Sequence, residues 1–227
     1  MWTQGLTHVS FLAYGYGMVK EKDATRTRNP RGEGARLRDE IVAAAVELLD
    51  DTGEPGAITL RSVARQVGIA APSIYRHFPD QPAIMLAVMR NAYGELHAEL
   101  HAAAVAAAGP RQRLLAICSA YLDFAPAHPG RYRIMFGGVW IPDLNTSSLT
   151  EDDMSALGQE SIELIAAAFA DCVRAGVSTS TDVAADAVAL WLGLHGLAHQ
   201  QLSAPSFPWP PDIAERLINT LAHFTGE

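Results

Sequence analysis

Along most of this chain apolar residues recur at steps of three and four, the spacing that gathers them on one face of an α-helix. Leu37, Ile41, Ala44, Ala45, Leu48 and Leu49 form such a face over residues 35–52, with Asp39, Glu40, Glu47 and Asp50 mostly off it. Gly53, Pro55 and Gly56 stop the pattern. A second helix is predicted over about 60–66, capped by Thr59 and burying Val63, Ala64 and Val67. Gly68 ends it and permits a tight turn. A third, over about 71–77, has Pro72 in its first turn, where a missing N–H costs little. Asp80 caps a long helix to about 107 that carries Ile84, Leu86, Val88, Tyr93, Leu96 and Leu100. After Gly109-Pro110, residues 111–125 read as a helix ended by Pro126 and Pro129, and 130–136 as a short one. Residues 137–150 read as a surface loop, and 151–175 and 181–203 as two further helices. Pro205, Pro208, Pro210 and Pro211 mark a rigid turn before a last helix, about 211–224, that buries Ile213, Leu217, Leu221 and Phe224. Neither a repeat nor a strand-period segment is found. The expectation is an all-α chain of about nine helices.

Composition agrees, since 49% of the residues are hydrophobic and alanine, the best helix former, dominates them. The net charge of −8 argues against a nucleic-acid partner until its distribution is read. Residues 20–76 hold ten Lys/Arg against nine Asp/Glu, whereas 77–227 hold seven against sixteen. The basic residues gather at Lys20, Lys22, Arg26, Arg28, Arg31, Arg36 and Arg38. A basic end on an acidic body can bind DNA at one end and repel it elsewhere; a solvated arm is the alternative. Cys118 and Cys172 lie in apolar helical patterns without metal-ligand spacing, so buried, reduced thiols in a cytoplasmic protein are expected. No apolar run reaches the roughly 18 residues that span a membrane. The first 19 residues are apolar and aromatic but lack a positive leader, which disfavours a signal peptide and leaves initiation at Met18 as an alternative.

The most informative segment runs from Thr59 to Phe78, two short helices joined by a glycine turn, which is the pattern of a helix-turn-helix. Ala64 is small where the second helix crosses, and Ile69 and Ile74 hold the turn to the core. Pro72, Ser73, Tyr75, Arg76 and His77 are left on an outward face that can enter a DNA major groove about 12 Å wide. A purely structural hairpin is the rival, but it gives Tyr75, Arg76 and His77 no role.

Residues 36–90 resemble the DNA-binding domain of the tetracycline-repressor (TetR) family. The resemblance rests on the helix ending at Gly53, the Thr59-x-Arg61-x-x-Ala64 run, Val67-Gly68-Ile69, and Ile74-Tyr75-Arg76-His77-Phe78 before an apolar long helix. It implies three N-terminal helices for DNA and six or more for ligand binding and dimerisation. Arg61 is then expected at a phosphate or guanine edge, Ser73 at a base edge and Pro72 at a thymine methyl. Tyr75 and His77 match positions that hold backbone phosphates, contacts that set register without reading sequence. Thr59 can touch a phosphate as well as cap its helix. Gln81 departs from the lysine common in relatives; it can donate to a phosphate but brings no charge. Ala71 offers no polar group where some relatives read a base.

The resemblance fades after about residue 95. His128-Pro129-x-x-Tyr132-Arg133-x-Met135-Phe136 is similar to a segment of one TetR subgroup, and Leu194-His195-Gly196 resembles its Trp-His-Gly motif with Leu in place of Trp. Large side chains recur here, namely Met89, Tyr93, Tyr121, Phe124, Met135, Phe136, Trp140 and Trp191, and with His195 they make a pocket for an apolar effector an expectation; ordinary core is the other use for each. His97/His101 and His195/His199 each have the i,i+4 spacing of a metal pair, but no third ligand is placed locally, so a metal-responsive regulator is an alternative and no metal or cofactor is expected. Ala184, Ala185, Ala187, Ala189, Gly193, Gly196 and Ala198 permit close helix approach. With the last helix they suit the four-helix homodimer interface that the resemblance implies, though packing within one chain explains them too.

Enzyme motifs are missing: there is no Gly-x-Ser-x-Gly, no phosphate-cradling glycine loop and no His-Glu-x-x-His. A ligand-binding helical protein without DNA activity is the nearer rival. The expected organisation is an extension and basic arm over 1–34, a helix-turn-helix domain over 35–80, and a ligand-binding and dimerisation domain over 81–227. The expected partners are a palindromic double-stranded operator, a small apolar effector and a second copy of the chain, with no membrane.

Overall fold

A computed structural model describes residues 34–226. The basic residues Lys20 to Arg31, and the arm they were expected to form, lie outside the described residues.

Among the described residues ten α-helices follow one another: α1 Gly34–Thr52, α2 Leu60–Val67, α3 Ala71–Ile74, α4 Gln81–Ala106, α5 Pro110–Ala127, α6 Pro129–Phe136, α7 Glu151–Ser155, α8 Gln159–Arg174, α9 Val183–Ser203 and α10 Ile213–Leu221. A single 3₁₀ turn, Pro55–Ala57, separates α1 from α2. The one extended contact among the described residues is an isolated bridge between Ser178 and Phe224. The caps follow from the sequence. The Ser62 N–H donates to Thr59 Oγ1 (3.0 Å) while the Thr59 N–H donates to Ser62 Oγ (2.9 Å), closing a capping box on α2. Asp80 accepts from the Ala83 N–H (2.9 Å) at the start of α4, and Asp182 from the Ala185 N–H (3.1 Å) at the start of α9. Gly68 ends α2 at φ +73°, a left-handed conformation that a side chain would strain.

One continuous core runs from Ile41 in α1 to Ala222 beyond α10. Its axis is α4. The six consecutive residues Ile84–Met89 are all buried, because this stretch is covered by the three-helix head on one side and by the bundle on the other. Cys118 and Cys172 are buried free thiols, and burial pushes Cys118 up to about 12, so it stays protonated. No helix among the described residues is long and apolar enough to cross a membrane.

Several boundaries differ from expectation. The segment 151–175 is two helices, because Gly158 turns left-handed (φ +76°) between α7 and α8, which raises the count from about nine to ten. Pro126 lies inside α5 rather than ending it. In a last turn it forfeits only one hydrogen bond, and the His128 N–H still reaches the Phe124 carbonyl (2.9 Å). Helix α3 stops at Ile74, and Tyr75 to His77 form a tightened turn whose His77 N–H donates to the Ile74 carbonyl (2.9 Å). Helix α10 ends at Leu221; Phe224 lies past it, half-buried, with the Arg111 guanidinium 4.8 Å over its ring. Of the residues expected to be buried there, Ile213, Leu217 and Leu221 are only half-buried.

Candidate nucleic-acid interface and effector cavity

Helices α2 and α3 are fixed from below. Val63, Ala64, Ile74 and Phe78 are buried, and the Ile69 N–H donates to the Ala64 carbonyl (3.0 Å), which seats the turn. The Arg38 guanidinium lies 4.7 Å over the Phe78 ring and ties α1 to the end of this unit. With Ile74 and Phe78 committed inward, the residues between them turn out. Tyr75 is 57% exposed, Arg76 and Pro72 are exposed, and Ser73 and His77 are half-buried. Arg61 is exposed one position into α2, beside the capping Thr59.

Residues 34–80 hold seven acidic side chains, and five are engaged, Asp80 as the cap of α4. Glu47 accepts from Gln66 (3.3 Å), Glu40 pairs with Arg36 (3.1 Å), and Asp50 and Glu54 are drawn to Arg131 (2.9 Å) and Arg133 (3.2 Å) of α6. Among the described residues Arg61, Arg65 and Arg76 have no ion-pair partner. The helix-turn-helix therefore presents unpaired cations, while Asp50 and Glu54 are neutralised from α6.

Gln81, expected at a phosphate, has another attachment. Its Nε2 donates to the Ile58 carbonyl (2.7 Å) and pins the first turn of α4 to the entrance of α2. The partner is distant in sequence, so no local pattern announced it.

Of the nine residues expected around an effector, four meet at one cavity of about 370 Å³: Tyr93, Tyr121, Phe136 and Trp191. Met89, Phe124 and Met135 are instead buried in the core, and Trp140 packs against it; none of the four lines this cavity. His195 stands just behind the wall. Trp191 stacks on it (5.8 Å between centroids, 18°), and its Nδ1 lies 3.0 Å from the Tyr132 hydroxyl. Burial, and next the charge of His199, hold His195 below its ordinary value of 6.5, so it is neutral at neutral pH. Burial also pushes Tyr93 and Tyr132 up to about 12 and raises Tyr121.

The remaining wall was not foreseen. Leu96 joins from α4, and Ser155, Leu157, Gly158, Gln159, Ser161 and Ile162 come from the α7–α8 junction. A glycine in the middle of an assumed helix was the available signal. A Cβ at Gly158 would sit 2.7 Å from Tyr93 Cε1, so the turn and the ring need each other. The histidine pairs stay pairs: the His97 and His101 rings lie 6.2 Å apart, and no group of three or more metal-ligating side chains occurs among the described residues.

Sequence relatives fit this arrangement. Residues 41–88 match the family described as bacterial regulatory proteins, tetR family, and residues 114–224 match the tetracyclin repressor-like C-terminal domain. The chain belongs to the TetR family. Its TetR head and its TetR C-terminal bundle are thus both recognised, in the order in which the fold places them. Among curated relatives, the nucleoid occlusion factor SlmA of Aliivibrio fischeri is 28% identical over 100 residues, 44% of this chain and 51% of that protein; the match thus spans about half the length of such relatives. A protein of unknown function from Rhodococcus sp. RHA1 superposes with a TM-score of 0.67 at 24% identity, over 86% of this chain and 95% of that one. The transcriptional regulator FadR from Bacillus subtilis, solved with stearoyl-CoA, superposes at 0.64 with 12% identity, over 83% and 99%. At these identities the structural likeness speaks for the fold alone.

Proposed function

We propose that the chain is a transcriptional regulator that binds a palindromic operator and is released by a small effector. One observation carries the reading: Tyr75 and Arg76 stand exposed on a short element whose neighbours Ile74 and Phe78 are fully buried. A packing hairpin has no use for an exposed ring and a free cation there. A groove-reading element uses both, Tyr75 and His77 at phosphates, Ser73 and Pro72 at base edges, and Arg61 with Thr59 at the flanking backbone. Arg76 adds charge on the same face. Gln81 becomes a positioning residue, orienting α4 against the head.

Dimerisation is part of the proposal. Val188 (44% exposed) and Leu192 (54%) form with Ala185 and Gly196 an exposed ridge on α9 at helical spacing. A Cβ at Gly196 would meet nothing within 4 Å, which leaves the ridge open to close approach. Gly193, by contrast, is used within the chain, where its missing Cβ makes room for Leu221 of α10. A two-fold axis along α9 and α10 would set two heads about 34–36 Å apart, one DNA turn. An effector in the bundle then acts by favouring another spacing, through α4. The site of action is the cytoplasm, and repression is the mode.

Selection of bound duplexes from random DNA tests this. A palindromic consensus is expected. A folded dimer without preference for any duplex over random competitor, at low salt and without effector, would overturn it. The alternative of a ligand-binding protein without DNA activity would then stand.

A further inference from the structure

The cavity at the α7–α8 junction supports a narrower statement about the effector, one that rests on reading the bundle as the effector domain. Ser161 is among its lining residues, is 5% exposed, and its buried hydroxyl has no hydrogen-bond partner. Buried polar groups are nearly always satisfied, so an orphan in the wall of a cavity marks where a ligand atom belongs. The same wall holds the start of α8, a helix of 16 residues that opens on Gly158 without a side-chain cap. Its first amides and its dipole add donors and partial positive charge at the same place. Opposite stand the rings of Tyr93, Tyr121, Phe136 and Trp191.

We propose that this cavity binds a small uncharged molecule with a ring and one carbonyl-type acceptor, the acceptor taking the Ser161 hydroxyl proton in a hydrogen bond and the ring lying among the aromatic side chains. Charge decides for a neutral ligand. None of the lining residues is charged. In the adjoining groove, Arg90 is paired with Asp153 (2.7 Å), and the other charges are Glu160 and Glu163. A carboxylate would find no free cation there and two acids nearby. Size decides for a small one. About 370 Å³ is at the low end of ligand sites. A long-chain acyl-CoA of the kind bound to Bacillus FadR exceeds it and brings several negative charges.

The same contacts supply the response. Gly158 lies against the Tyr93 ring, and Asp153 of α7 pairs with Arg90, both partners of Gly158 and Asp153 being on α4. A ligand that shifts Tyr93 therefore acts on the helix that reaches the head.

Calorimetric titration of the full chain with acetophenone, coumarin, benzoate and stearoyl-CoA tests the proposal. Acetophenone or coumarin is expected to bind, with benzoate and stearoyl-CoA at least about tenfold weaker. Ser161→Ala is expected to weaken the neutral compound roughly five- to tenfold while leaving the ligand-free melting midpoint unchanged or higher, since it removes an unsatisfied buried hydroxyl. The proposal is overturned if neither neutral compound binds, if Ser161→Ala leaves affinity unchanged, or if benzoate or stearoyl-CoA binds as well. The same preparation is assayed on selected duplex. Duplex binding without probe binding sinks the ligand class and spares the regulator; probe binding without duplex binding does the reverse.

Discussion

The head and the bundle are built from the same kind of helix, yet they differ in how far apart their decisive partners lie. Within the helix-turn-helix the partners are close in sequence. Thr59 caps with Ser62, Ile69 reaches back to Ala64, and Ile74 and Phe78 bracket the residues they expose. In the bundle the partners are remote. Tyr93 needs Gly158, Tyr132 meets His195, and Arg90 meets Asp153. On the function proposed above, the target explains the difference. Duplex DNA offers a constant groove, so one compact local solution serves; small molecules differ, and a cavity assembled from several helices can change one wall at a time.

The strongest way to break this contrast is to empty the head's core. Phe78→Ala is expected to remove about 3–5 kcal/mol of unfolding free energy and the Arg38 stacking with it, read by urea denaturation; a loss under about 1 kcal/mol would show that the head is not held from below as described. Thr59→Ala should cost about 1 kcal/mol by removing the cap of α2. The same denaturation curve checks it, and an unchanged midpoint would deny the cap its role. Tyr75→Phe is expected to weaken binding a few-fold on all duplexes alike, with no change in stability; a loss confined to one sequence would move Tyr75 from phosphate to base. The smallest effect concerns the bundle and pH. Because His195 is held below 6.5 in the folded chain, the unfolded chain takes up a proton first as pH falls. The stability it contributes is full above that value and is lost in the window below it. Melting midpoints measured from about pH 7 to about pH 5 should fall less steeply in His195→Asn, and identical slopes would refute the assignment.

The same contrast of near and far partners governs what the sequence made legible. Helices α1, α2, α4 and α9, the caps at Thr59 and Asp80, and the outward set around Tyr75 follow from residues within a few positions of one another. The split at Gly158 does not, since its cause is a ring on another helix. From the sequence Gln81 reads only as a phosphate contact, because nothing local shows the Ile58 carbonyl that accepts a hydrogen bond from its Nε2. Pro126 misled because a proline stop rule ignores how little a last turn loses. The cavity was half visible: four aromatics could be named as large and adaptable, whereas Ser161 is an ordinary serine until its surroundings leave it unpartnered.

The ion pairs that join α6 to the end of α1 carry a consequence for measurement. Arg131 bridges Asp50 of α1 and Glu95 of α4 from a largely buried position, and Arg133 holds Glu54 in the open, with the carboxylates of all three pairs partly exposed. Dissolved electrolyte weakens such pairs. On the proposed function, raising the ionic strength therefore does two things at once, displacing the head from phosphates and slackening the joint through which the bundle would steer it. A titration of DNA affinity against effector at a single buffer strength would fold both into one number, and the stiffness of that joint is recovered only by repeating it across several.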